Sequence, residues 1–174
     1  MYLVYGGCDD ELGVTGYVDA SFCTDPDDMK SQTGYVFVVN GGAVSWRSGK
    51  QPIVTQSTME SEYVAAADVA NEAVWMRKFV IELGVVPIAQ DPLTLFCDHT
   101  GAIANMKEPR SHSTAKHILR RFHVIRQYIK EGEVKICKIH MDLNVADPMT
   151  KPLPKDKHEK HQNAIGVRIL PVLN

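Results

Sequence analysis

The chain has 174 residues, of which 44% are hydrophobic and 23% are charged, and its formal net charge is −2. This length and apolar content predict one globular domain with a single core, and they exclude a chain that is mainly disordered. The slightly acidic balance excludes a nucleic-acid binder that is basic throughout, so any grip on phosphates must come from a local patch.

The first part of the chain predicts an antiparallel meander that follows a short lead-in segment, residues 1–13. Alternating residues predict a first strand over Val14–Phe22, and aromatic and β-branched residues predict a second over Thr33–Asn40. A third strand is expected over Ala43–Ser48, directly after Asn40-Gly41-Gly42, a sequence typical of a hairpin turn.

The second part of the chain combines helices with an apolar strand. A helical pattern covers Thr58–Leu83 and ends at Gly84, a residue common at helix ends. Asp91–Asp98 is a nearly continuous apolar run, which is typical of a strand buried on both faces. A short helix is predicted at Gly101–Met106, and a second long helix at Ala115–Gly132.

A last strand at Val134–Met141 and a short helix that opens at Ala146–Leu153 complete the pattern. The order of the elements predicts an α/β fold, in which a mixed sheet carries helices on both faces. We expect one domain over residues 14–153 and a weakly ordered C-terminal tail over residues 154–174.

The four cysteines form no CxxC pair and have no spacing with histidines that suits zinc, which predicts free thiols and a reducing compartment. No signal peptide and no run of about 18 apolar residues is present, so the sequence offers no support for a membrane role.

Two glutamates, Glu60 and Glu62, lie at the start of the first long helix and cannot share one face. At about 100° per residue, Glu62 points in the same direction as Val69 and Val80, towards the core. A buried carboxylate is costly unless a cation meets it. Glu60 instead fits a capping box with Ser57, in which the glutamate reaches back to the N-cap amide. Glu62 is therefore the candidate functional acid.

Three aspartates lie at the ends or edges of predicted elements. Asp19 interrupts the first strand, where it could also belong to the polar side of a half-exposed strand. Asp98 closes the buried strand, and ligands gather outside the carboxyl ends of parallel strands, although a helix cap is the alternative. Asp147 precedes Pro148 where an N-cap belongs, so capping alone could explain it.

The convergence of these four carboxylates on one sheet favours a shared site, because no histidine or cysteine cluster competes with them. Carboxylate ligands suit a hard cation such as Mg²⁺ or Mn²⁺. Two such ions can generate a hydroxide and stabilise the leaving oxygen of an in-line phosphoryl displacement.

Five sequence blocks then carry a resemblance to a known family. In chain order they are YVDAS, STMESEYVAAADVANEAVW, LFCDHTGAIA, KHILRRFHVIRQYI and VADPMTKPL. In that order they resemble the RNase H domain at the C-terminal end of the polyprotein of copia-type LTR retrotransposons. The resemblance implies an RNase H-like fold, whose five-stranded mixed sheet has three antiparallel and two parallel strands and is flanked by helices.

The activity implied by the resemblance is hydrolysis of the RNA strand of an RNA/DNA hybrid during reverse transcription. In that family four acids bind two Mg²⁺ ions, for which Mn²⁺ can substitute. These catalytic and metal-binding acids fall on Asp19, Glu62, Asp98 and Asp147. The family also has an acid at the Glu60 position, so Glu60 is kept as an accessory candidate and the helical wheel selects Glu62.

Hybrid-binding residues are expected near the acids and on the second long helix. The candidates near the acids are Ser21, Thr24, Ser57 and Thr58. The candidates on the helix are Lys116, Arg120 and Arg121. These cations would hold phosphates without reading sequence, but a solvated helix face would look similar. His140 is a second accessory candidate, because some RNase H enzymes use a mobile histidine near the last acid; a strand-end histidine is the alternative.

The resemblance also implies a partner and a location. The partner is the reverse transcriptase polymerase domain of the same polyprotein, which we expect to share the grip on the RNA/DNA hybrid. The location is the cytoplasm, within virus-like particles, or the nucleus. Two alternatives stay open: an inactive RNase H-fold module that binds hybrid or braces reverse transcriptase, and an integrase-like core with the same two-metal chemistry.

Overall fold

The structure is a computed structural model that describes residues 1–6, 13–84, 91–108 and 116–169, with the backbone alone described for 116–122. In chain order the strands are β1 (Tyr2–Leu3), β2 (Val14–Ser21), β3 (Gln32–Val39), β4 (Gly42–Lys50), β5 (Leu93–Cys97), β6 (Val134–Lys138) and β7 (Val167–Arg168). The α-helices are α1 (Thr58–Leu83), α2 (Thr100–Lys107), α3 (Lys116–Lys130) and α4 (Lys155–Ala164). None of the helices in this described part has the length and apolarity needed to cross a membrane.

A five-stranded sheet with the order β4-β3-β2-β5-β6 forms the centre of the fold. Strand β3 pairs antiparallel with β2 and with β4, whereas β5 pairs parallel with β2 and with β6. Asn40 and Gly41 both have positive φ angles, 49° and 73°, as a two-residue hairpin turn between β3 and β4 requires. The predicted mixed sheet is confirmed.

The two faces of the sheet carry two apolar clusters. On one face, the larger cluster joins Val18 and Phe37 of the sheet to Val69 and Ala73 of α1. On the other face, a smaller cluster contains Val36, Ala43 and Val145, with Tyr17, Met149 and Ile165 packed against it. Because β2 and β3 contribute alternate residues to each cluster, the sheet is covered on both sides.

Helix α1 has the predicted bounds, and both ends are capped. The Ser57 hydroxyl accepts from the Glu60 amide at 3.2 Å, and Gly84 adopts the left-handed conformation with φ 67°. Near its C-terminal end, Arg77 donates to the Asp91 carbonyl at 3.1 Å and to Glu133 at 2.7 Å, just before β5 and β6 begin. The N-terminal turns of α1 therefore lie at the opposite end, where β2 and β5 end.

The expectation of a weakly ordered tail is wrong for its described residues. Helix α4 forms there, and β7 pairs antiparallel with β1, so the lead-in segment and the tail hold each other. The Ala43 amide also donates to the Ile165 carbonyl at 2.9 Å, which fastens the tail to β4. Composition alone did not indicate these tertiary contacts, and the domain boundaries at residues 14 and 153 stay a prediction.

The short helix expected at Ala146–Leu153 is a single 3-10 turn, Asp147–Met149. Two later prolines, Pro152 and Pro154, lack the amide that a continuing helix needs, which limits the helical segment.

Gly34 allows this turn to approach the sheet. It pairs with Asp19 in the β2–β3 ladder, and a Cβ atom there would lie 2.5 Å from Met149 Cβ and 2.7 Å from Thr150 Cγ2. We predict that Gly34→Ala lowers the free energy of unfolding by about 1–3 kcal/mol, because the turn must move. Urea unfolding checks this against Gly13→Ala, where a Cβ meets nothing within 4 Å; equal stabilities of the two variants would contradict it.

Candidate active site

Four carboxylates meet at the end of the sheet where β2 and β5 finish. Ligand oxygens of Asp19, Asp98 and Asp147 all lie within 4.8 Å of one another. In a second group, ligand atoms of Asp98, Glu62 and Cys97 likewise lie within 4.8 Å of one another. Asp98 belongs to both groups, so the structure brings together all four acids that the sequence singled out; we call them the acid cluster.

Local structure leaves two of these acids free of capping roles. The N-cap of α2 is His99, whose Nδ1 accepts from the Ala102 amide at 3.1 Å. The N-cap of the 3-10 turn is Ala146, which makes no side-chain cap hydrogen bond. The capping alternatives for Asp98 and Asp147 are therefore wrong, and both carboxylates are available to the cluster.

Asp19 is the most deeply buried acid of the cluster, with 1% of its surface exposed. It is therefore not on the polar side of a half-exposed strand. Burial raises its pKa from 3.8 to about 7, while the Thr150 hydroxyl, which donates to Oδ2, and the nearby Lys151 ammonium partly offset that rise. A carboxylate in this position needs a cation to be stable in its charged form.

Glu62 is also buried, with 6% of its surface exposed, as the helical wheel predicts. Its pKa is raised well above 4.5, first by burial and then by the charges of Asp19 and Asp98; a hydrogen bond from the Ala20 amide acts in the opposite direction. Cys97 Sγ lies 4.0 Å from Glu62 Oε2. Burial likewise raises the pKa of the Cys97 thiol to about 12, so the thiol stays protonated beside the acids.

Glu60 takes part in capping the N-terminal end of α1. Its amide donates to the Ser57 hydroxyl, and its Oε2 accepts from the Gln56 amide at 2.5 Å. This differs in one detail from the expected capping box, because the glutamate bonds the residue before the N-cap. Glu60 belongs to neither group of possible metal ligands among the described residues, whereas Glu62 belongs to one of them. The geometry therefore gives the two glutamates different roles.

Asp147 gives the cluster an acceptor that lacks a hydrogen bond. Its Oδ1 is buried and accepts none, although Lys151 Nζ lies 3.4 Å away. Burial is the main cause of the raised pKa of this carboxyl group. A buried carboxylate oxygen that makes no hydrogen bond can serve as a ligand for a metal ion.

Sequence reasoning missed Lys151 as part of the site. Its ammonium lies 3.4 Å from Asp19 Oδ2 and 3.4 Å from Asp147 Oδ1. The spacing of four residues from Asp147 was the available signal, because such pairs meet on a helical turn. The contact with Asp19 had no signal, since the two residues lie far apart in the sequence.

The cluster has the chemistry of a site for hard divalent cations. Several carboxylate oxygens converge from separate elements, and burial, together with repulsion between the neighbouring acids, raises the pKa values of Asp19, Glu62 and Asp147. Asp19, Asp98 and Asp147 could share one cation, and Asp98 with Glu62 could hold a second. The thiol of Cys97 is the one soft donor within these described groups.

The other predicted residues are placed around or away from the acids. Ser21 ends β2, and the exposed Thr24 hydroxyl donates to the Ser21 carbonyl at 3.4 Å. Ser57 and Thr58 open α1, close to Glu62 in the chain. His140 is exposed, and its Nδ1 accepts from the Asp142 amide at 3.2 Å. The side chains of Lys116, Arg120 and Arg121 lie outside the described residues.

Comparison with known proteins gives the family. The retrovirus-related Pol polyprotein from transposon TNT 1-94 of Nicotiana tabacum is 39% identical over 165 residues, which cover 95% of this chain. The Pol polyprotein from transposon RE2 of Arabidopsis thaliana is 32% identical over 160 residues, or 92% of this chain. The chain is a homologue of these transposon Pol polyproteins. The predicted resemblance to copia-type elements is confirmed.

The relatives are far longer than this transposon Pol homologue, which spans 12% of the TNT 1-94 polyprotein and 11% of the RE2 polyprotein. No family model matches the chain. Among solved structures, an RNase H1 isolated from compost superposes with TM-score 0.55 at 14% identity, over 80% of this chain and 93% of the other. RNase H1 from Halobacterium salinarum NRC-1 has TM-score 0.55 at 16% identity, over 79% and 92%. The fold is therefore RNase H-like.

The raised pKa of Asp19 predicts that the protein loses stability as pH rises. The folded pKa of about 7 exceeds the ordinary 3.8, so the folded state binds the proton more tightly than the unfolded state. Stability from this group is present below about pH 4 and is lost as pH rises to about 7, by on the order of a few kcal/mol. We expect Asp19→Asn to remove that loss.

Urea unfolding between pH 5 and pH 8, in EDTA, measures the effect. The stability difference between Asp19→Asn and the wild type should grow with pH, and exposed Asp156→Asn should follow the wild-type curve. A constant difference across this range would show that burial does not raise the pKa of Asp19.

Proposed function

We propose that this transposon Pol homologue is a ribonuclease H, which hydrolyses the RNA strand of an RNA/DNA hybrid with the help of two divalent cations. The observation that carries the proposal is the acid cluster itself. Four carboxylates from β2, α1, the end of β5 and the 3-10 turn converge within an RNase H-like fold. Burial of such a cluster opposes folding, which favours a functional role for it.

The cofactor proposed is Mg²⁺, as two ions, with Mn²⁺ as a substitute. Oxygen ligands and the absence of a histidine ligand from the described groups favour hard cations over zinc. When bound, two such ions activate a water molecule and stabilise the leaving oxygen of a phosphodiester.

Residues of the chain would hold the cations, and neighbouring hydrogen bonds orient the acids that bind them. Asp98 belongs to both groups of the cluster, so it would be a ligand in each of them. Thr150 keeps the Asp19 carboxylate in one orientation through its hydroxyl hydrogen bond. The Ala20 amide does the same for Glu62. Preorganised ligands of this kind need little rearrangement when the substrate binds.

The proposed substrate is held by groups that lie near Asp19 and Glu62 in the chain. Ser21 ends β2 and Thr24 follows it three residues later, whereas Ser57 caps α1 and Thr58 begins it. Their hydroxyls suit phosphate oxygens and the 2′-hydroxyls that distinguish RNA from DNA. Helix α3 would add the cations of Lys116, Arg120 and Arg121.

The proposed partner is the reverse transcriptase polymerase domain of the same polyprotein, because the relatives carry the matching segment within much longer chains. One surface feature supports a protein contact. Trp75 and Phe79 on α1 stack with ring centroids 5.5 Å apart and are 55% and 44% exposed. Exposed aromatic pairs are enriched where proteins associate. We propose that this complex works in the cytoplasm, within virus-like particles.

The first test is cleavage of an RNA/DNA hybrid by the wild type and by Asp98→Asn, with Mg²⁺, Mn²⁺ or EDTA. We predict cutting of the RNA strand alone, dependent on the cation, and a loss of at least about 10²-fold in Asp98→Asn, because Asp98 belongs to both ligand groups of the acid cluster. Circular dichroism should stay unchanged. Full activity in a folded Asp98→Asn would contradict the proposed site, and hybrid binding without cutting by the wild type would favour the inactive module.

A second test compares the two glutamates. Glu62→Gln should abolish most of the cleavage and leave the helix cap intact, because Glu62 belongs to the acid cluster. Glu60→Gln should retain most of the cleavage and lower stability by about 1 kcal/mol or less, because it weakens a capping contact. Steady-state rates and urea midpoints measure the two effects. Equal losses of activity would refute the separation of Glu60 from Glu62.

A further inference from the structure

Lys151 is the one cation that the described part of the chain places within ion-pair distance of the acid cluster. Its Nζ lies 3.4 Å from Asp19 Oδ2, 3.5 Å from Asp19 Oδ1 and 3.4 Å from Asp147 Oδ1. The ammonium therefore bridges two carboxylates that belong to β2 and to the 3-10 turn. It also contacts the same Asp147 oxygen that accepts no hydrogen bond.

The backbone of Lys151 is fixed by hydrogen bonds, but its side chain is partly exposed to solvent. The Lys151 amide donates to the Asp147 carbonyl at 3.2 Å, and the preceding Thr150 is tied to Asp19 through its hydroxyl. The side chain itself is 38% exposed, whereas Asp19 is almost fully buried. The ammonium can therefore move from the carboxylates into solvent without unfolding the turn.

We propose that Lys151 is a built-in competitor for divalent cations: its ammonium holds Asp19 and Asp147 together when such ions are scarce, and it lowers the affinity of the acid cluster for them. This inference rests on the proposed function only in taking the acid cluster as the cation site. Lys151 is a positioning residue in this scheme, since it acts through the two carboxylates.

Electrostatics gives the direction of both effects. An ammonium neutralises one charge of a crowded acidic group, so its loss leaves more uncompensated repulsion. A divalent ion on the same oxygens is repelled by the ammonium, or it must displace it, at a distance where charges interact strongly. Removing the ammonium should therefore destabilise the cation-free protein and strengthen cation binding.

Calorimetric titration with Mn²⁺ tests the proposal without any cleavage assay. We expect the Kd of Lys151→Met for Mn²⁺ to be at least about tenfold lower than the Kd of the wild type. In EDTA, the same variant should unfold at a lower urea concentration, and Mn²⁺ should raise its midpoint more than it raises that of the wild type. Lys151→Arg keeps the charge and should stay near the wild type in both measurements.

Two further variants make the outcome decisive. Lys155→Met removes an exposed lysine that contacts Glu159 at 3.7 Å, and it should leave Mn²⁺ affinity unchanged. If Lys151→Met fails to fold, Lys151→Gln supplies the neutral comparison, because its amide can still donate to a carboxylate. Unchanged or weaker Mn²⁺ binding in the neutral variant would overturn the proposal.

The failure of this proposal is distinguishable from the failure of the proposed function. Tighter Mn²⁺ binding by Lys151→Met, together with no hybrid cleavage by the wild type, would support the competitor and contradict the nuclease. Cleavage by the wild type with equal Mn²⁺ affinities in all variants would support the nuclease and contradict the competitor. No Mn²⁺ binding in any variant would overturn both.

Discussion

Burial and mutual repulsion in the acid cluster, at one end of the sheet, form the constraint on which the rest of the structure depends. Asp19, Glu62 and Asp147 are buried and have raised pKa values, so each opposes folding in its charged form. The remainder of the fold must supply the free energy that holds them there. The larger apolar cluster, between α1 and the sheet, is the main source of that free energy.

The cluster is held by contacts between distant parts of the chain. The Asn144 side-chain amide donates to the Val18 carbonyl at 3.0 Å, which fixes the segment before Asp147 to the strand that carries Asp19. The Ser48 hydroxyl donates to the Met149 carbonyl on the other side of the turn. Strands β2 and β4 thus position a turn more than a hundred residues away, and geometry at the cluster depends on the entire sheet.

Local patterns predicted much of this arrangement. Helix α1 could be bounded from its serine cap and final glycine, and the hairpin followed from Asn40 and Gly41. Each of these signals acts within a few residues, so sequence alone carries it. The helical wheel separated Glu62 from Glu60 because the first helix is long enough to have a clear buried side. Asp98 followed from its place after a buried strand.

The contacts that escaped prediction depend on tertiary structure. Lys151 reaches Asp19 because the 3-10 turn folds onto β2, and the tail is held by the pairing of β7 with β1 and by the hydrogen bond from Ala43 to Ile165. The position of Cys97 beside Glu62 follows from how α1 crosses the end of β5. Periodicity cannot indicate such pairs, since their partners lie far apart in the sequence.

The charge of the cluster also determines how a polyanion could approach it. A nucleic-acid backbone is repelled by four carboxylates with one ammonium, and the net charge of −2 gives no general attraction. Bound divalent cations would reverse the local sign, so cation and hybrid should each strengthen the binding of the other, as linkage requires. Lys151 then has opposite effects on the two ligands: it attracts phosphates directly, yet it repels the cations that make the site attractive. Such a domain gains most from a partner that binds the hybrid at a point distant from the acids and so helps to keep it on the protein. We propose that the polymerase domain is this partner.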